Sequence, residues 1–138
     1  VNYRDKEIIS LKEETELLGI YYFLQQKRHG NNIELRNSLT EQQKSQYFIP
    51  PLTLQLLVEN AIKHNAISKE TRLVIELRIT DDEYLQVANN INMRMSKQEG
   101  AGMGLQNIVN RYTLLTSKRV QINNDGKNFI VSLPLLKN

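Results

Sequence analysis

Pro51-Leu-Thr-Leu-Gln-Leu-Leu-Val-Glu-Asn-Ala-Ile-Lys-His-Asn65 is the stretch from which the rest of the chain can be read. Wound as a helix at about 100° per residue, it places Leu54, Leu57, Val58, Ala61 and Ile62 on one apolar arc. Gln55, Glu59, Asn60, Lys63 and His64 fall on the other side, interrupted only by Leu56. One side packs into a core. The other carries a carboxylate, an amide, an ammonium and an imidazole at i, i+1, i+4 and i+5.

Taken alone, such a face is ordinarily just a solvated one. Its groups nonetheless suit a particular chemistry. Amide and carboxylate oxygens are ligands that Mg²⁺ accepts while keeping waters and phosphates in its other positions, and an adjacent Lys suits the phosphates themselves. Forty residues on, Gly100-Ala-Gly-Met-Gly-Leu105 adds weight to that reading. Three glycines at alternate positions do not build a core. They give a backbone that bends sharply and approaches an anion closely, and here they run into a helix N-terminus, whose free N–H groups favour phosphate.

The remaining chain frames these two stretches. Ser10 with Glu13 makes a capping box, and Leu11, Leu17, Leu18, Tyr21, Tyr22 and Leu24 sustain a helical period to about Lys27, ended at Gly30-Asn-Asn32. That wide stripe is expected to dock on a sheet or on a helical segment upstream. Ile33–Leu39 alternates as a half-buried strand, and Thr40–Phe48 has no readable pattern. Arg72–Thr80 and Glu83–Ala88, joined at Asp81-Asp82, form a hairpin with Leu73, Ile75, Leu77, Ile79, Leu85 and Val87 inward. Asn89–Glu99 lacks a period and reads as a long loop, which in a small domain is functional or disordered. A helix from Gly104 or Leu105 to Leu115 and a closing hairpin, Val120–Ile122 with Asn128–Leu133, complete the chain. The order β, α, ββ, α, ββ implies an α+β, two-layer α/β sandwich, with a mixed, mostly antiparallel sheet and helices on one face.

Composition narrows the possibilities. At 138 residues there is room for a single two-layer core, and no apolar run approaches the ~20 residues that span a bilayer. The net charge of +3 is mild and the basic residues are scattered, so no direct nucleic-acid contact is indicated. Without Cys there are no disulfides or thiolate metal sites. His29 and His64, the only histidines, make no zinc site. His29 reads as a surface residue at a helix end, and His64 as a hydrogen-bonded wall. The chain begins at Val1 without an initiator Met and reads as an excised piece of something longer.

Leu57-Val-Glu-Asn-Ala-Ile-Lys-His64 resembles the N box, and Gly100-Ala-Gly-Met-Gly-Leu-Gln-Asn107 the glycine-rich lid box, of GHKL (Bergerat-fold) ATPases. Within these the chain is most similar to the ATP-binding region of LytS-like sensor histidine kinases. Ser10–Leu17 followed by Tyr22, Ile49-Pro-Pro-Leu52, Gly104–Tyr112 and Lys127–Pro134 extend the likeness to nearly the whole chain. The resemblance implies a linking helix at residues 1–30, leading from absent phosphoacceptor helices, and an ATP-binding catalytic domain at 31–138. Asn60 is implied as the Mg²⁺ ligand, with Glu59 and Lys63 beside it in the catalytic set. ATP is implied to contact Asn60, Lys63, His64, Asn89, Gly100, Gly102, Gly104 and Leu105. Arg111 either reaches phosphate or caps the helix surface. The implied partners are the phosphoacceptor helix of the same kinase dimer and a response regulator. The implied location is the cytoplasmic side of an inner-membrane sensor, with the membrane reached only through absent segments.

Three positions depart from the family pattern. The adenine box, normally Asp-x-Gly-x-Gly, here reads Val87-Ala-Asn-Asn-Ile-Asn92, with Asn89 in place of the Asp. An amide oxygen still accepts a hydrogen bond from an adenine amino group, but without charge assistance, and its NH₂ must be pointed away. Leu56 replaces an acidic or amide helper one turn before Asn60, a role open to Glu59 or Gln55, and Lys127 replaces a usual Thr. Neither histidine has a phosphoacceptor context. Two further readings follow: a pseudokinase that keeps the shape without nucleotide, and another GHKL ATPase such as an anti-sigma serine kinase.

Overall fold

The structure, a computed structural model, describes residues 7–93 and 103–138. Gly100 and Gly102 lie outside the described residues. The central helix α3 (Thr53–His64) buries Leu54, Leu57, Val58 and Ala61 of the arc expected from the sequence, and half-buries its fifth member, Ile62. Pro50 and Pro51 precede it rather than forming its first turn, and Leu52 enters it at φ 64°.

A five-stranded sheet lies beneath it, in the order β2 (Ile33–Asn37), β4 (Leu73–Ile79), β5 (Tyr84–Asn90), β7 (Asn128–Pro134), β6 (Gln121–Asn124). Only β2 and β4 run parallel, as their connection through α3 requires; every other pair is antiparallel. Period-2 alternation aims Leu73, Ile75 and Leu77 of β4, Leu85 and Val87 of β5, and Val131 and Leu133 of β7 into one core. The helices cover that face: α1 (Leu11–His29), α3 and α4 (Met103–Thr113), which adds Ile108 and Tyr112. Ion pairs among Glu34, Arg36, Arg72 and Glu76 occupy exposed positions and add little. The fold is the mixed two-layer α/β sandwich implied by the element order.

Several local expectations are revised. The segment Thr40–Phe48 holds a short helix α2 (Glu41–Gln46), started by a capping box of Thr40 and Gln43, and the beginning of β3 (Phe48–Ile49). Strand β3 pairs antiparallel with β1 (Ile9–Ser10). Asn89 and Asn90 belong to β5, not to a loop, because the inward alternation Leu85, Val87, Asn89 simply continues. Helix α4 stops at Thr113, short of Leu115. Helix α1 starts on Ser10, whose Oγ accepts the Glu13 N–H at 3.1 Å, and ends at Gly30 with φ 59°. It docks through Leu11 and Leu18, which join the common core, while Leu17 and Leu24 of the expected stripe face outward.

Candidate functional site

The two ends of α3 are built differently, and the site lies at its C-terminal half. At the N-terminal end the first amides need acceptors, and Leu52 offers no capping side chain. Glu14 of α1, 1% exposed, supplies both oxygens: Oε1 accepts the Leu52 N–H and Oε2 the Leu54 N–H, each at 2.9 Å. Thr53 Oγ1 donates to the Pro50 carbonyl at 2.7 Å. Burial pushes the Glu14 carboxyl above its ordinary range, opposed by those backbone amides and by Arg111. The stretches Ser10–Leu17 and Ile49–Leu52 are thereby joined, through the β1–β3 pairing and through Glu14.

At the C-terminal half, α3 and the sheet part to leave a cavity of about 310 Å³. Asn60 and His64 line it from the helix, Asn89 from β5, and Leu105 from the first turn of α4. Ile91, Met93 and Phe129 give it apolar walls, and Asn124 reaches it from β6. The start of α4 lies against Asn60: a Cβ on Gly104 would stand 3.6 Å from Asn60 Oδ1, an ordinary contact. The polar side of α3 and the end of the glycine-rich stretch therefore border one cavity, between helices and sheet. Gly104 itself is helical, one residue inside a helix that begins at Met103.

Asn89 is 8% exposed and donates from Nδ2 to the Asn90 carbonyl at 2.8 Å. That bond commits the NH₂ to the backbone and leaves the oxygen as the acceptor the side chain has to offer. Asn90 extends the sheet by side chain, accepting the Val74 N–H and donating to the Arg72 carbonyl, both at 2.8 Å. Asn65 fastens the end of α3 to the segment after β5: Nδ2 donates to the Ala61 carbonyl at 2.8 Å and Oδ1 accepts the Asn92 N–H at 2.7 Å. The sequence reading had missed Asn65, Asn90 and Asn124, whose partners are remote in sequence or in turns.

Among the described candidates, Glu59, Lys63 and Arg111 are not part of the cavity lining. Glu59 accepts from Gln55 Nε2 at 3.2 Å on the flank facing α1, where burial first and the Glu59 carboxylate second push the Tyr21 phenol up to about 12. Lys63 is exposed on the same helix. Arg111 donates from Nη1 to the Pro51 carbonyl at 2.9 Å. It borders a different recess of about 490 Å³, together with Leu52, Gln55, Leu56 and Leu114. Gly100 and Gly102 lie outside the described residues.

Among the described residues no group of three or more His, Cys, Asp or Glu converges into a metal cage. The cavity thus offers a metal the Asn60 amide oxygen rather than an all-protein shell. That donor set suits Mg²⁺, which takes most of its ligands from waters and phosphates.

Solved structures of histidine kinases share this fold. The mycobacterial sensor histidine kinase MprB matches with a TM-score of 0.57 at 13% identity, over 96% of this chain and 99% of that one. The catalytic domain of the histidine kinase ThkA matches with a TM-score of 0.54 at 13% identity, over 95% of this chain and 97% of that one. Full-length ShkA, solved in complex with AMPPNP, matches with a TM-score of 0.55 at 15% identity, over 95% of this chain and 32% of its own. The likeness shows the fold, which is that of histidine kinase catalytic domains.

Sequence relatives narrow it further, although no protein-family model matches the chain. The sensor protein LytS of Streptococcus mutans is 30% identical over 89% of this chain, and LytS of Bacillus cereus 26% over 92%. The sensor histidine kinase BtsS of Escherichia coli is 28% identical over 78%. The chain is homologous to the LytS sensor histidine kinases. It spans about a quarter of the length of the LytS relatives, 25% for Bacillus cereus and 23% for Streptococcus mutans.

Proposed function

We propose that this chain is the ATP-binding catalytic domain of a two-component sensor histidine kinase. It delivers the γ-phosphoryl group of ATP to a histidine outside the chain, from which a response-regulator aspartate takes it. The observation that carries the reading is the single cavity bordered by Asn60, Asn89 and the first turn of α4. Residues 1–30 link this domain to the phosphoacceptor helices. No helix among the described residues is long and apolar enough to cross a membrane. The domain belongs on the cytoplasmic side of a membrane sensor, attached through other segments.

The proposed roles rest on position together with the family resemblance. The Asn89 oxygen accepts from the adenine amino group, and Ile91, Leu105 and Phe129 wall the base with apolar surface. His64 closes the side of the cavity. The N–H groups at the start of α4 meet phosphate oxygens, with Lys63 as a nearby cation; Gly100 and Gly102, outside the described residues, join the set on the resemblance alone. Asn60 holds Mg²⁺ through Oδ1, next to Gly104. When bound there, Mg²⁺ would supply charge neutralisation for the phosphates. The chain's own contribution is positioning, the larger part of catalysis in phosphoryl transfer. Glu59, which accepts from Gln55, stands beside Asn60 in the catalytic set that the resemblance implies.

Titration of Mg-ATP into the chain by calorimetry tests this proposal. Binding is expected, with affinity falling by about a hundredfold in Asn60→Ala, roughly 3 kcal/mol, at an unchanged melting temperature. Silence in both proteins would leave a nucleotide-free scaffold as the answer.

A further inference from the structure

Helix α1 is apolar on both sides. Leu11 and Leu18 are buried against the domain, yet Leu17, Ile20, Phe23 and Leu24 on the other side are 41%, 64%, 57% and 57% exposed. A helix that is apolar all round is normally covered all round. At about 100° per residue, Ile20 lies opposite Leu11 and at the centre of the outward face, with Leu17 and Leu24 to one side and Phe23 to the other.

The charges on that outward face are sorted by sign. Glu13 and Glu16 precede the apolar stripe, and Lys27 follows it, its Nζ 4.9 Å from the centre of the Phe23 ring. Acid-first, base-last suits the dipole of any single helix. Placed around an exposed stripe, it also selects a partner. Two parallel copies would set Glu13 beside Glu13 and Lys27 beside Lys27. Two antiparallel copies related by a two-fold axis at Ile20 set Leu17 against Phe23 and Glu13 against Lys27, on both sides at once.

We propose that the outward face of α1 is a self-association surface, on which a second copy of this chain packs antiparallel with Ile20 on the two-fold axis. The interface is isologous, since one patch meets itself. Its 19-residue helix is about 28 Å long. One helical stripe covers less than the ~800 Å² per partner of a standard interface. The isolated chain therefore dimerises weakly, at roughly 10–100 µM.

The chain has no Cys, so single cysteines report the geometry without background. Under mild oxidation Ile20→Cys forms a covalent dimer. Glu13→Cys and Lys27→Cys cross-link only when mixed with each other. In sedimentation equilibrium Ile20→Glu abolishes the dimer. Glu13→Lys weakens it by roughly tenfold, and Glu13→Lys combined with Lys27→Glu restores it. All three positions are exposed, and unchanged melting curves verify folding. Efficient cross-linking of Glu13→Cys with itself would mean a parallel pair and overturn the proposal. So would a monomer at every concentration up to about 1 mM, which would assign the stripe to another segment of the intact protein.

Discussion

The two ends of α3 solve opposite problems with the same helix. Its N-terminal end is closed: the Leu52 and Leu54 amides are capped by one buried carboxylate from α1, and Thr53 is fixed to Pro50. Its C-terminal half is open, presenting Asn60 and His64 to a cavity. Immobility at one end is what allows a single amide to be held in place at the other, since a site is only as well positioned as the shell behind it. The same contrast separates the two recesses along α3. The larger is lined by Leu56, Leu114 and the tethered Arg111, and the smaller by the convergent amides of Asn60 and Asn89. Volume does not pick out the site; chemistry does.

The sharpest way to break this contrast is Glu14→Ala. Loss of a buried cap is expected to cost about 2 kcal/mol of stability, read from urea unfolding, while Mg-ATP affinity stays within about twofold. An affinity that falls along with stability would mean the two ends are coupled. At the open end, Asn89→Asp is expected to tighten ATP over GTP by about fivefold through charge-assisted acceptance. It also sets an oxygen against the Asn90 carbonyl that Nδ2 now bonds at 2.8 Å, so stability should drop by about 1 kcal/mol. Unchanged nucleotide preference would place Asn89 away from the base.

The smallest effect concerns pH. Burial raises the folded-state pKa of Glu14. Its linked contribution is therefore fully present below the unfolded value of about 4.3 and is lost as pH rises through the folded value. The stability of the native chain relative to Glu14→Gln should decline as pH rises above about 4. A difference that grows with pH would mean the two amide bonds outweigh burial.

Much of this was legible in the sequence, and the exceptions share a cause. The arc Leu54, Leu57, Val58, Ala61 and the hairpin residues Leu73, Ile75, Leu77, Leu85 and Val87 follow from local periodicity and are buried as read, while Ile62 and Ile79, read the same way, are only half-buried. The meeting of Asn60 with Gly104 was reachable only through resemblance, because periodicity says nothing about contacts 44 residues apart in sequence. The Glu14 cap was invisible for the same reason: its partners lie 38 and 40 residues away, and Glu14 sits in a first turn where any acid suits the dipole. Arg111 likewise finds Pro51 across 60 residues. Two features were within reach. Thr40-x-x-Gln43 is a capping-box signature, and Asn89 follows Leu85 and Val87 at the strand period. In both, polar composition concealed a regular element.

The most direct test of the central claim is backbone-amide NMR of the chain during titration with Mg-ATP. Shifts concentrated at Asn60, Asn89, Ile91 and Leu105, with Leu56, Arg111 and Leu114 unmoved, are the result expected of a nucleotide held between α3 and the sheet. Shifts confined to Leu56, Arg111 and Leu114 would contradict it.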